Sequence, residues 1–173
     1  GAYSLRAVVE KPRFEVVGGF VYSADKTGKD IGELCGIGPI GIRATNDIEQ
    51  ILAIEADCVV YNALGETWDP NKSLEDICRL LESGKNVVST AVSRHIHPEA
   101  LALEDREKLE LACKKGSTTF HSTGINPGFS FDILPISISA LANRIDCIHA
   151  TELVDMSSYT SESIVSDVIG MGM

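Results

Sequence analysis

Short apolar runs alternate with amphipathic segments along most of this chain, and few folds satisfy that order. Residues 14–23, 56–64, 86–90 and 117–122 are runs drawing on Val, Phe, Tyr and Thr, and they read as buried strands. Between them lie helices with recognisable ends. At the start, Leu5, Val8 and Val9 stand at helical spacing. Asn46-Asp47-Ile48-Glu49 has the form of a capping box ahead of the stripe Ile48, Ile51 and Leu52. Ser73 can cap a helix that runs through Ser83 and ends at Gly84. Pro98 suits the first turn of a helix reaching Lys115, with Gly116 as its stop. A last helix is expected beyond Phe129, toward Asn143. Residues 26–41 and 65–72, the latter containing Trp68, read as loops.

Strands that are apolar throughout and separated by helices belong to a parallel sheet covered on both faces. The expected class is α/β, a doubly wound parallel sheet of the Rossmann type. In that fold the first strand enters the first helix through G-x-G-x-x-G, and the third glycine lets the helix pack closely on the strand. Gly1 stands four residues before Leu5 and fits that third glycine. The sheet is therefore expected to lack its first strand, which would precede Gly1 together with the other two glycines. The chain alone is expected to bind dinucleotide poorly and to be inactive. From Ile145 the texture changes, with a strand-like run over 145–154 and a serine-rich stretch over 156–163. Residues 1–130 are thus expected to form a dinucleotide-binding domain and 131–173 to begin a second, substrate-binding one.

A formal charge of -10 with no Lys/Arg-rich run argues against nucleic acid as partner, because displacing counterions needs a basic face. No apolar run reaches the ~18 residues of a membrane span. A small molecule is the expected ligand. The five cysteines are odd in number and show no C-x-x-C spacing, so they read as small core residues in a reducing, cytoplasmic compartment. His95-Ile96-His97 has no further ligands at metal spacing and reads as a solvated loop. His121 alternates with Phe120 and reads as structural, with a proton-donor role left open. The charged run over 104–108 reads as a solvated helix face.

Ligands of open parallel sheets bind at the carboxyl ends of the strands. The first run ends in Tyr22-Ser23-Ala24-Asp25-Lys26. An acidic residue directly at that end would take a ribose hydroxyl and favour NAD; here the end is Tyr22-Ser23, expected to contact the cofactor, and Ser23 with Lys26 leans toward the 2′-phosphate of NADP, with use of both cofactors open. Asn62, Ala63 and Leu64 end the next run, where small residues allow the backbone to approach a dinucleotide. Ser89, Thr90 and Ala91 offer hydroxyls and backbone groups at the third end. Gly124-Ile125-Asn126-Pro127-Gly128-Phe129 is the most specific turn, and Asn126 offers both donors and an acceptor to a carboxamide or polar substrate. Each of these ends also has a plain reading as a structural turn.

The stretches "VYSADKTGKDIGELCGIGP", "LLESGKNVVST", "HSTGINPGFSFDILP" and "ELVDMSSY" together resemble the dihydrodipicolinate-reductase-like oxidoreductases. Within them the chain is most similar to the branch of 2,4-diaminopentanoate dehydrogenase and the amine dehydrogenases. The resemblance implies a Rossmann cofactor domain using NAD or NADP, followed by an α+β substrate domain, usually in a homo-oligomer. By position it implies nicotinamide contacts from Ser89, Thr90 and Ala91, and from Asn126, Pro127, Gly128 and Phe129. Where the reductases carry paired histidines and a lysine, this chain has Glu152-Leu153-Val154-Asp155-Met156-Ser157-Ser158-Tyr159. Where the amine dehydrogenases carry a glutamate after the fourth strand, it has Ser89-Thr90-Ala91-Val92-Ser93-Arg94. The expected activity is hydride transfer between a nicotinamide and a small substrate at a C=N or C–NH2 group, with no catalytic residue assigned. The alternatives are a keto or aldehyde reductase and a cofactor-binding module without turnover.

Overall fold

A computed structural model describes residues 1–63, 69–157, 165–166 and 170–171. The chain divides into two compact units, Gly1–Gly124 and Ile125–Met173. The first opens with α1 (Ala2–Val9), β1 (Gly19–Phe20), α2 (Ile31–Leu34), β2 (Ala44–Thr45) and α3 (Ile48–Ala53). It continues through β3 (Cys58–Tyr61), α4 (Pro70–Glu82), β4 (Asn86–Ser89), α5 (Leu103–Gly116) and β5 (Phe120–Ser122). All strand pairs are parallel, as expected for strands joined by helices. They form two sheets, β1-β2 and β3-β4-β5. The expected α/β class with parallel pairing is therefore present.

The core lies where α4 and α5 pack on the second sheet. Asp69 caps α4 by accepting the Lys72 amide at 3.0 Å, and Pro70 occupies the first turn. Ser73, expected as the cap, sits one turn inside, buried, with its hydroxyl donating to the Asp69 carbonyl at 3.2 Å. From there Leu74, Ile77, Leu80 and Leu81 form a helical stripe, and Ile77 and Leu81 have no exposed surface. Val87 of β4, Val92 and Leu109 of α5 complete this layer. Gly116 is the last residue of α5, and a Cβ on it would collide with the Leu81 carbonyl; close helix approach requires glycine there. The left-handed turn that ends α5 falls on Ser117, at φ 55°.

Several elements differ from the sequence expectation. Residues 98–100 form a separate short turn, and α5 begins only at Leu103. The cap of α3 is Asp47 rather than Asn46, accepting the Glu49 amide at 3.0 Å. The strand expected over 14–23 is regular only at Gly19–Phe20, because a strand gains its ladder from its neighbours and β1 has one, β2, among the described residues. The expected loop over 26–41 contains α2, organised by one carboxylate. Asp30 accepts amides from Gly32, Glu33, Ile40 and Gly41 at 2.8, 3.3, 3.1 and 2.7 Å. The loop with Trp68 lies outside the described residues apart from its end.

In the second unit, Ile125–Ile133 is wound but broken at Asn126, Pro127 and Gly128, and α6 (Leu134–Ser139) follows. The helix thus stops short of Asn143. Residues 145–154 have no regular structure, since no strand pairs with them among the described residues.

The four amides around Asp30, led by that of Ile40, hold its carboxyl below the usual carboxylate range. The resulting stability is complete above the unfolded-state value of about pH 4 and is lost as pH falls through the lower folded value. Thermal melts should show Asp30→Asn less stable than the parent at neutral pH, with the gap closing in strong acid.

Candidate functional site at the strand ends

Two strand ends of the first unit and the start of a helix are joined by side chains. Asn62 follows β3, donates its amide to Ser4 Oγ at 2.9 Å, and accepts the Thr90 hydroxyl at 2.8 Å on its Oδ1. Ser4 lies in the first turns of α1 and Thr90 directly follows β4. One carboxamide thus ties the start of a helix to two strand ends, leaving hydroxyl and amide groups at the rim of a cavity of about 600 Å³. Gly1, Tyr22, Lys26, Asn62 and Ala63 all line that cavity, so five of the expected site residues meet there. Leu64 lies outside the described residues. A Cβ on Gly1 would meet nothing within 4 Å, so no close packing in this chain requires glycine at that position.

Ser23, Ser89, Thr90 and Ala91, also expected at the site, are not among the residues that line it. Ser89 is fully buried; its hydroxyl donates to the Tyr61 carbonyl at 2.8 Å and accepts the Ala91 amide at 3.1 Å. Its side chain therefore locks the strand end rather than facing outward. Thr90 is exposed. Ser23 precedes the short turn Ala24–Lys26, makes no side-chain cap bond, and is exposed together with Lys26.

Tyr22 was expected to contact the cofactor. Its hydroxyl instead donates to Asp76 Oδ2 at 3.2 Å and lies 3.4 Å from the Tyr61 hydroxyl. Tyr22 is half-exposed, and its partial burial together with Tyr61 and Asp76 pushes the phenol well above its ordinary range. Asp76 is buried and is balanced by Lys72 at 3.2 Å. Sequence reading missed Asp76, although a carboxylate within the apolar stripe of α4, one residue before Ile77, was a visible signal.

In the second unit, Asn126 donates to a Glu152 carboxylate oxygen. Gly128, at φ 129° and buried, donates its amide to Asp132 at 2.7 Å, an arrangement that favours glycine. Pro127 follows a cis peptide, and Phe129 is half-exposed. No group of three His, Cys, Asp or Glu side chains is placed to hold a metal among the described residues.

Two expectations are corrected. His95 is buried rather than solvated, with its ring edge-on to Phe120 at 5.8 Å. Cys58 and Cys147 are exposed, while Cys35, Cys78 and Cys113 are half-buried; all are free thiols.

Residues 1–99 match the family model described as "Dihydrodipicolinate reductase, N-terminus". The chain belongs to this reductase-domain family. An amine dehydrogenase of Streptomyces virginiae is 34% identical over 173 residues, covering 99% of this chain and 48% of that protein. A 4-hydroxy-tetrahydrodipicolinate reductase of Synechococcus elongatus is 27% identical over 114 residues, 65% of this chain and 41% of that protein. The solved structure of an amine dehydrogenase from Mycobacterium smegmatis shares the fold, with a TM-score of 0.68 and 23% identity over 84% of this chain and 42% of that one. The chain spans about half the length of the curated relatives it matches. As a member of the reductase-domain family, its first unit is a Rossmann-like α/β domain. No helix among the described residues is long and apolar enough to cross a membrane.

Two outcomes test this geometry. Ser89→Val leaves a buried carbonyl and a partly buried amide without their partner and should cost about 1–3 kcal/mol in urea denaturation. Burial pushes the Cys78 thiol up to about 11, so roughly a thousandth of it is thiolate at pH 8. Peptide mass spectrometry after brief alkylation at pH 8 should find exposed Cys147 labelled well before Cys78.

Proposed function

We infer that this chain is the cofactor-binding part of an NAD(P)-dependent oxidoreductase that moves hydride to or from a small substrate at a C=N or C–NH2 group. The observation that carries this reading is the Asn62 link between Ser4 and Thr90, at the rim of a cavity that Gly1 also lines. In a parallel α/β unit the carboxyl ends of strands beside a helix start are where a dinucleotide lies, with its phosphates on the helix N–H groups. The donor set fits such a ligand. Hydroxyls of Ser4 and Thr90 and the Asn62 carboxamide suit ribose oxygens, and small Ala63 and Ala91 leave room for close approach. Membership of the reductase-domain family and the likeness to an amine dehydrogenase and a dihydrodipicolinate-pathway reductase support the same class.

A bound nicotinamide would supply the hydride chemistry. The residues here would hold and orient it: Ser23 and Lys26 toward a 2′-phosphate, since the Tyr22 hydroxyl is committed to Asp76, and Thr90 and Ala91 toward the nicotinamide end. NADP is the favoured cofactor on this reading. The Asn126–Glu152 pair offers a carboxylate and an amide suited to an amine-bearing substrate. A cofactor-binding module without turnover is the second reading, favoured by residues 89–94, which contain no carboxylate.

The test uses full-length protein. Calorimetry should show NADPH bound more tightly than NADH. Asn62→Ala should weaken dinucleotide binding about tenfold, the equivalent of ~1.4 kcal/mol in lost hydrogen bonds. Asn126→Ala should severely reduce turnover, read as reduced-nicotinamide absorbance with a panel of aliphatic amines and the matching ketones plus ammonia. Failure to bind either dinucleotide would overturn the assignment. Binding without turnover on any member of the panel would leave the module reading in its place.

A further inference from the structure

We propose that Cys147 and His149 form a nucleophile–base pair, and that the groove they line takes an α,β-unsaturated carbonyl compound with an apolar chain, which the thiol captures as a covalent adduct. Cys147 Sγ lies 3.2 Å from His149 Nε2, and both residues are exposed. With Nε2 as the unprotonated ring nitrogen, the thiol donates along this contact and the imidazole is placed to take its proton. Cys147 is the one cysteine within the second unit, Ile125–Met173, so a disulfide has no partner there. The pair does not depend on the proposed hydride chemistry.

The walls of the groove select the ligand. Both residues line a cavity of about 740 Å³ formed wholly by the second unit, within the size range of small-molecule pockets. Leu134 and Ile138, one turn apart on α6, line it together with Phe131, Ile145, Ile148 and Leu153. All six side chains are exposed, so an apolar chain laid over them removes surface from water on both sides. The carboxylates nearby are already engaged. Asp146 accepts Arg144 Nε and Nη2 at 2.7 Å each, and Glu152, at the groove itself, accepts the Asn126 amide. An uncharged ligand with an apolar tail therefore suits the groove better than an ionic one.

The chemistry of the pair completes the choice. A thiolate is a soft nucleophile, and addition to a conjugated C=C bond needs from the protein only a group that takes a proton and gives it back. As Sγ bonds to the β-carbon, its proton passes to His149 Nε2. The electron pair of the C=C bond moves onto the α-carbon and carbonyl oxygen as an enolate. The imidazolium then returns the proton to the α-carbon. The product is a thioether; no group leaves, no external oxidant or reductant takes part, and the pair is spent by one addition.

The experiment uses the full-length protein and two vinyl ketones with the same reacting group, methyl vinyl ketone and 1-octen-3-one, the second longer by four methylenes. Peptide mass spectrometry follows addition at each cysteine, with exposed Cys58 and free glutathione as references. At Cys147 the octenone should add at least about tenfold faster than the short ketone, since each methylene leaving water gains up to about fourfold. Its rate should saturate with concentration, as binding ahead of reaction requires. At Cys58 and glutathione the two ketones should differ little. His149→Gln should slow both additions at Cys147 about tenfold and keep their ratio. Ile138→Ser should lower the ratio and leave methyl vinyl ketone unaffected. Both variants should melt with the parent. A ratio at Cys147 no higher than that of glutathione overturns the proposal, and so does a folded His149→Gln protein that reacts as fast as the parent. The ratio and the saturation are read on the unaltered protein, so a variant that fails to fold leaves them to decide.

Discussion

The first unit depends on the packing of α4 against β4. Ile77 and Leu81 are buried to the last atom, Leu80 and Val87 nearly so, and each such side chain contributes about 1.5–3 kcal/mol by leaving water. α5 in turn approaches α4 closely enough to exclude a Cβ at Gly116, and the Leu81 carbonyl is met by the Thr118 hydroxyl at 3.1 Å. This layer fixes the register of β3, β4 and β5 and hence where their carboxyl ends lie. The β1-β2 half has less apolar anchoring and relies on polar local order, chiefly the amides gathered on Asp30.

That division explains the chemistry available at the strand ends. Groups over the rigid layer are bonded inward: Ser89 to Tyr61, Ser122 to the Val92 carbonyl at 2.7 Å, and the Thr123 amide to the Ser89 carbonyl at 2.9 Å. They hold the ends still and satisfy buried polar atoms that would otherwise be costly. The groups suited to a ligand stand one position further out, at Asn62 and Thr90. A site built on rigid strand ends keeps its geometry better than one carried by free loops.

Helix signals were the legible part of the sequence. Caps and stops act through local hydrogen bonds, so Ser73 read as a cap and Gly84 as a stop located α4 to within a few residues, although the cap itself is Asp69. Strand lengths were not legible, because they depend on neighbours that no local pattern reveals. The run over 14–23 looks strand-like throughout, yet only its pairing with Ala44–Thr45 makes two residues regular. The same applies to 145–154. Polar residues under tertiary control were the other gap. His95 is buried against Phe120 because a turn folds beneath β5, and Ser89 faces inward although a strand-end serine suggests a ligand contact. In contrast, the break at Asn126, Pro127 and Gly128 was readable, since proline and a glycine of positive φ impose it from within.

The Tyr22–Asp76–Lys72 chain has a consequence for selectivity at the end of β1. A carboxylate directly at such an end would repel a 2′-phosphate and accept a ribose hydroxyl. Here the nearest buried carboxylate, Asp76, sits on α4, with one oxygen on Lys72 and the other on Tyr22. Its charge is thus balanced within the protein. The tyrosine hydroxyl is held by the same carboxylate, and Phe20 packs edge-on against its ring at 5.0 Å. On the proposed reading, recognition at this end would fall to Ser23, Lys26 and the backbone. Because the whole chain carries a formal charge of -10, an anionic ligand gains nothing from the long-range field. On the proposed reading its affinity would come from short-range groups: the N–H groups that begin α1 and the ammonium of Lys26, both bordering one cavity.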